Sequence, residues 1–410
     1  MKKFIVAFAV CLAAATSVFA FDSAFWRDIQ KFPVPRHRFD GAGENRKALK
    51  LYFEGEKLDG KPTEVFAYYC TPAILRGSGV DKNLPAVVCV HGGGGQAFAE
   101  WVELWASRGY AAMAIDWRGN GPDPRYPNIT PEMRKKLPPY ALGQRKHLEN
   151  GGVEHTPQTV SLADGKAENQ AWAYFAVGAI ARAHSLIRSF PEVDANKTAI
   201  TGISWGGFLT CLTSGVDRRF KAAVPVYGCG FIYDKTDVFN WDEYTGAKTP
   251  TLKRWIELFD PSKSLEIETV PMLFVNSPTD PYYPLTMWTK SAKLAKKSQA
   301  LLISTLKHGH SQGWGVPEIE AFIASKIGGK PFPKIGAISR SANIVKCPVG
   351  KAQKAELFFT DCNGAKSSQY KWESVPMKIE NGCARAELPA NARKFYITAT
   401  DVNGNRVSTF

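Results

Sequence analysis

Two hydrophobic periods alternate along the chain from residue 47 to about 330. Short runs of β-formers are followed by longer stretches whose apolar residues return every three or four positions. That grammar predicts a mostly parallel sheet covered by helices on both faces. "ALKLYFEGE" (48–56) and "PTEVFAYYC" (62–70) read as an antiparallel opening pair, and "PAVVCV" (85–90) is a continuous apolar run suited to a central strand. "QAFAEWVELWASRGY" (96–110) places Phe98, Trp101, Val102 and Trp105 at helical spacing, with Gly109 as a stop. "AAMAIDW" (111–117), "KTAIT" (197–201), "KAAVPVYG" (221–228), "PMLFVN" (271–276) and "QALLIST" (299–305) supply further strands. A helix of about six turns is predicted over "NQAWAYFAVGAIARAHSLIRSF" (169–190) and a closing helix over "VPEIEAFIASKI" (316–327).

Two segments depart from this grammar. Residues 119–165 carry Pro122, Pro124, Pro127, Pro131, Pro138 and Pro139 among charges, which marks an insertion of the kind that shapes a substrate entrance. After "GGKPFPK" the pattern turns to strands alone: "KAELFFT", "YKWESVPMKI", "CARAELP" and "KFYITATDVNG", separated by turns. Residues 335–410 are therefore expected to form a small all-β, sandwich-like module behind a catalytic domain over 21–330.

The first residues, "MKKFIVAFAVCLAAATSVFA", join two lysines to an apolar run of roughly 15 residues and end in Val-Phe-Ala, as a signal peptide over 1–20 would. Cleavage after Ala20 and a secreted or periplasmic destination are expected, and the valine before Cys11 argues against a lipoprotein anchor. No later stretch is apolar for the ~18 residues of a membrane span. The formal charge of +14 falls to +12 once Lys2 and Lys3 leave with the leader. The basic residues are scattered and carry no nucleic-acid signature, so an acidic polysaccharide fits the charge better than nucleic acid does. Seven cysteines remain: Cys70, Cys89, Cys211 and Cys229 sit in apolar runs and read as buried thiols, while Cys347, Cys362 and Cys383 could form one disulfide. Oligomeric state is not legible.

The chemistry gathers around Gly202-Ile203-Ser204-Trp205-Gly206, a G-x-S-x-G pattern between a predicted strand and a predicted helix. Such a turn lifts the serine hydroxyl above the sheet, and the glycines admit close neighbours. A serine needs a base and a carboxylate to orient that base, and the chain supplies both in the expected order. Asp280 lies in "SPTDPYYP" after one strand; "LKHGHSQGW" follows the next, with His308 and His310 as rival bases. The small residue after it and the loop length favour His310, with His308 as the alternative. Backbone amides of Gly93 and Gly94 in "VCVHGGGGQ", with that of Trp205, are the candidate oxyanion donors, and His91 is expected to brace that loop. No ligand cluster accompanies the His-x-His pair, so no metal site is expected there.

With "HGGGG", "AIDWRGNG", "TGISWGG", "SPTDPYYP" and "HGH" in order, the chain resembles the α/β-hydrolase superfamily. Within it, the chain is most similar to the acetyl xylan esterase and dienelactone hydrolase relatives of the prolyl oligopeptidase catalytic domain, over roughly residues 47–328. The resemblance implies an α/β-hydrolase fold and cofactor-free acyl-serine catalysis, in which Ser204 attacks, a histidine shuttles the proton and Asp280 holds the histidine. It leaves the substrate open, since the fold hosts several hydrolase classes. A secreted ester hydrolase deacetylating a polysaccharide is the leading expectation. The alternatives are a serine peptidase of the oligopeptidase type, disfavoured because only about 25 mature residues precede the first strand, and a non-catalytic binding protein on a hydrolase fold.

Overall fold

The computed structural model describes residues 21–125, 130–136, 144–155, 167–234, 236, 250–267, 270–364 and 366–409. Residues 1–20, the expected leader, and much of the proline-rich insertion fall outside these residues. Strands β1 (His37–Ala42), β2 (Leu49–Leu58) and β3 (Lys61–Cys70) open the fold as an antiparallel meander. They lead into β4 (Leu84–Val90) and β5 (Ala111–Ile115), and the insertion folds back as a short pair, β6 (Asn120–Pro124) with β7 (Arg145–His147). Strands β8 (Val193–Ile203), β9 (Ala222–Val226), β10 (Met272–Asn276) and β11 (Ser298–Leu302) complete the hydrolase half. The six strands from β5 through β4, β8, β9 and β10 to β11 run parallel.

These central strands read as unbroken apolar runs because helices cover both of their faces. Every residue of β5, β9 and β10 is buried. The covering helices include α1 (Ala99–Ser107), α2 (Trp172–Ser189), α3 (Trp205–Val216) and α4 (Pro317–Ile327). Helix α2 is buried along nearly its whole length, which explains why its sequence is apolar on every side.

The chain leaves β4 for β5 on one side and β8 for β9 on the other. A crevice therefore opens beyond the carboxyl ends of β4 and β8, which is where open α/β sheets bind ligands. The glycine loop after β4 and the serine turn after β8 meet there.

The C-terminal strands form two layers, as the all-β grammar predicts, but one layer is fused to the hydrolase sheet. Strand β19 (Arg406–Ser408) pairs with β11 and is followed across the sheet by β18 (Lys394–Thr400), β14 (Lys354–Thr360) and β15 (Glu373–Pro376), giving thirteen strands in all. The second layer is β12 (Ser339–Ser341), β13 (Ile344–Pro348), β17 (Cys383–Glu387) and β16 (Lys378–Glu380). A separate core of Val345, Leu357, Ile397, Val407 and their neighbours fills the space between the layers. Tyr396, on the other face of β18, belongs to the main core. An Arg406–Glu318 ion pair, 2.6 Å from Nε to Oε1, ties β19 to α4. All seven cysteines after residue 20 are free, so the bond considered among Cys347, Cys362 and Cys383 is not formed.

Candidate active site

Ser204 stands between β8 and α3 with φ 56° and ψ −116°. A non-glycine residue at positive φ is strained, and such strain collects at functional turns. Sterics explain the glycines on either side of it. A Cβ at Gly202 would lie 2.1 Å from the Gly206 carbonyl oxygen, and one at Gly206 would lie 2.0 Å from that of Val90. The turn is held by the Ser204 amide, which donates to Val226 O at 2.9 Å.

Asp280 leaves the end of β10 on a loop tied back by its own side chains. Asn276 Nδ2 donates to Tyr283 O at 2.9 Å. Asp280 is only 2 % exposed, yet both carboxylate oxygens are satisfied. Oδ1 accepts the amides of Tyr282 and Tyr283 at 2.9 and 2.8 Å, and Oδ2 receives Nδ1 of His308 at 2.6 Å. Its main-chain carbonyl accepts a 2.8 Å bond from the hydroxyl of Ser367, in the C-terminal module. The His308 ring is packed among Tyr227 and Tyr282, with centroids 4.3 and 4.7 Å away, and Tyr227 Oη steadies its loop by donating to Lys307 O at 2.7 Å. Among the described residues, His308 Nε2 has no hydrogen-bond partner.

The structure therefore reverses the preference between the two histidines: Asp280 meets His308, not His310. His308 lies in the loop that turns after β11, with its ring on Asp280. His310 opens a one-turn helix (His310–Trp314), and its ring is carried across to the glycine loop. There its Nε2 accepts the Gly92 amide at 2.9 Å. Burial, then the charge of His308, lowers the His310 pKa to about 4.

The glycine loop is braced from several sides. Trp117 Nε1 donates to His91 O, and Arg118 Nη1 to Gly93 O, both at 2.8 Å. Buried His91 bonds Gly92 O through Nδ1 at 2.7 Å, and desolvation keeps its ring neutral well below the usual histidine range. Among the described residues, the amides of Gly93 and Gly94 donate to no acceptor.

Ser204, Trp205, His308, His310 and Gly92 to Gly94 all line one cleft of about 660 Å³. The same cleft is lined by Arg118, Gln144, His155 and Tyr282, none of which the sequence assigned to the site. Arg118 could have been flagged from "DWRGNG", whereas His155 lies in the insertion without any pattern of its own. His155 is caged by Trp117, Trp172 and Trp205, its Nε2 has no partner among the described residues, and burial lowers its pKa to about 3. A smaller apolar cavity of about 70 Å³ adjoins Ser204, formed with Trp205, Ile232, Tyr282, Tyr283 and Met287. Among the described residues no three metal-ligating side chains converge.

A profile of the acetyl xylan esterase (AXE1) family matches residues 24–273, more than half of the chain. The chain belongs to the acetyl xylan esterase family. The matched span contains the glycine loop and the Ser204 turn and ends just before Asp280. Solved members with the same fold include an acetyl xylan esterase from Paenibacillus sp. R4, 21% identical, with a TM-score of 0.53 over 75% of this chain and 94% of that one. Acetyl xylan esterase 1 from Thermoanaerobacterium sp. JW/SL YS485 is 14% identical, with a TM-score of 0.55 over 74% of this chain and 94% of that one. A comparison with curated protein sequences returned no match. The α/β-hydrolase fold expected for the family is the one observed.

Proposed function

We propose that this family member is a serine esterase that removes short acyl groups, acetyl foremost, from a polysaccharide. The observation that carries the reading is the Asp280–His308 contact of 2.6 Å, made on the wall of the cleft that also holds Ser204 at its strained turn.

In this reading His308 Nε2 takes the Ser204 proton as Oγ attacks the acyl carbon, and Asp280 fixes the ring with its proton on Nδ1 and stabilises the imidazolium. The oxyanion is received by the amides of Gly93 and Trp205, with Gly94 beside them. The tetrahedral intermediate collapses as His308 returns the proton to the departing sugar oxygen. Water then attacks the acyl carbon, again losing its proton to His308, and acetate leaves as Ser204 is restored. The apolar cavity of about 70 Å³ beside Ser204 has room for the methyl of an acetyl group, which supports acetyl as the acyl group. The family description and the printed names of the two solved relatives support the same class.

The leader over residues 1–20 and the basic surface complete the proposal: an exported enzyme acting on a polymer, for which acidic glycans suit the charge. Release of acetate from acetylated xylan and hydrolysis of p-nitrophenyl acetate, set against the butyrate and octanoate esters, test it. The expected result is turnover that falls steeply with acyl length. Equal rates on all three esters, or no acetate release, would overturn it.

A further inference from the structure

Once Asp280 is given to His308, the second histidine of "HGH" has no place in the proton relay. We infer that His310 is a positioning residue for the oxyanion loop: its Nε2 holds the Gly92 amide and so sets the direction of the next amide, that of Gly93. The kinetic consequence rests on the esterase reading above, but the contact itself does not.

The contact is built from both sides. The His310 ring is walled by Phe98 and Trp314, with centroids 4.9 and 6.2 Å away, and Trp314 is itself stacked on buried Trp101 at 5.0 Å. On the facing side only glycine admits the ring so close. A Cβ at Gly95 would lie 2.4 Å from Nε2, and one at Gly92 would lie 3.0 Å away. Because an amide N–H can only donate, Nε2 must be the bare nitrogen, and a doubly protonated ring could not make this bond. Burial lowers the pKa of this imidazole to about 4, so the acceptor persists near neutral pH. It also keeps a second cation away from His308, which becomes positive in the transition state.

The other braces on the loop act on carbonyls: those of His91, Gly92 and Gly93 accept from Trp117, from His91 and the Gly95 amide, and from Arg118. Among the described residues, His310 is the group that engages a loop amide from outside the loop. It therefore joins the loop after β11 to the loop after β4, placing the base and the oxyanion donors on one connected support.

Two substitutions separate the possibilities. His310→Gln keeps a side-chain acceptor, and His310→Leu keeps bulk without one. Each would be measured for thermal unfolding, for kcat and KM on p-nitrophenyl acetate across pH, and for amide hydrogen exchange of residues 91–96. We expect His310→Leu to lower kcat by about 10- to 100-fold with KM within about twofold, as a misplaced oxyanion donor would. The acid limb of the pH profile should stay in place, and exchange over residues 91–96 should accelerate. His310→Gln should recover both kcat and protection to within a few-fold. Unchanged exchange in His310→Leu would overturn the inference, as would a glutamine variant no better than leucine. Disappearance of the acid limb would make His310 the titrating base instead. If the wild-type protein hydrolyses no ester, the esterase reading fails while the exchange measurement still decides whether His310 holds the loop.

Discussion

Among the described residues two histidine–aspartate pairs are hydrogen-bonded at almost the same length, and one of them faces a cleft. His308 Nδ1 meets Asp280 at 2.6 Å, and His184 Nδ1 meets Asp217 at 2.7 Å. His184 is 0 % exposed, its Nε2 is taken by Thr198 Oγ1 at 2.8 Å, and its ring lies flat on Phe220 with centroids 3.5 Å apart. Arg219 caps Asp217 from the other side at 2.6 Å. Every polar atom of that pair is spent, so it can only hold the core together. The pair at Asp280 leaves Nε2 without a partner among the described residues, on the wall of the cleft that contains Ser204. An oriented histidine is therefore not enough for catalysis. A nitrogen left free to face a reacting atom is what separates the two regions.

The sharpest way to break this comparison is to remove parts of each pair. Ser204→Ala or His308→Ala should lower kcat on p-nitrophenyl acetate by about 10⁴- to 10⁶-fold with little change in the thermal midpoint. Asp280→Asn should cost about 10⁴-fold by freeing the wrong tautomer. A His308→Ala enzyme with near-normal turnover would end the assignment. Asp217→Asn belongs to the other region and should do the opposite. It should cost roughly 3–5 kcal/mol of stability in urea unfolding, since it leaves buried partners uncompensated, with kcat of the folded fraction intact.

A pH series separates the regions again. Burial holds His184 at about 4, below the 6.5 of an exposed histidine, although Asp217 pulls the other way. The unfolded chain therefore takes up its proton first as pH falls. Stability should be flat above about pH 7 and decline as pH drops from 6.5 to 4, with His155 continuing the decline to about 3 and the Asp217 carboxyl, held low despite its burial by His184 and Arg219, adding to it below about pH 4. A urea midpoint that does not move between pH 7 and pH 4 would contradict this.

The smallest effect is expected where the C-terminal module touches the site. Ser367→Ala removes one neutral hydrogen bond to the Asp280 carbonyl, worth about 1 kcal/mol, and should lower kcat by less than about tenfold. No change at all would mean that the module supports only the fold.

Much of this was legible in the residues. Glycines around Ser204 announced a tight strand-to-helix turn because close neighbours and positive φ are local demands, and the continuous apolar runs of β4, β9 and β10 announced buried parallel strands. The strand-only grammar after residue 335 announced a second core. Its fusion to the main sheet was not legible, since β19 is three residues long and carries no period of its own. Nor could spacing choose between His308 and His310, because two residues within one loop differ only in where the chain path aims them.

What the sequence determined by itself is the order of parts: strand, glycine loop, serine turn, acid loop, histidine loop and a β module. These follow from periodicity and turn chemistry, which act between near neighbours. The tertiary structure alone decided which histidine Asp280 holds, that His184 and Asp217 form a sealed core pair, and that β19 makes one sheet of two units. Each of those depends on partners at least 28 residues apart whose meeting is set by how the sheet and helices pack.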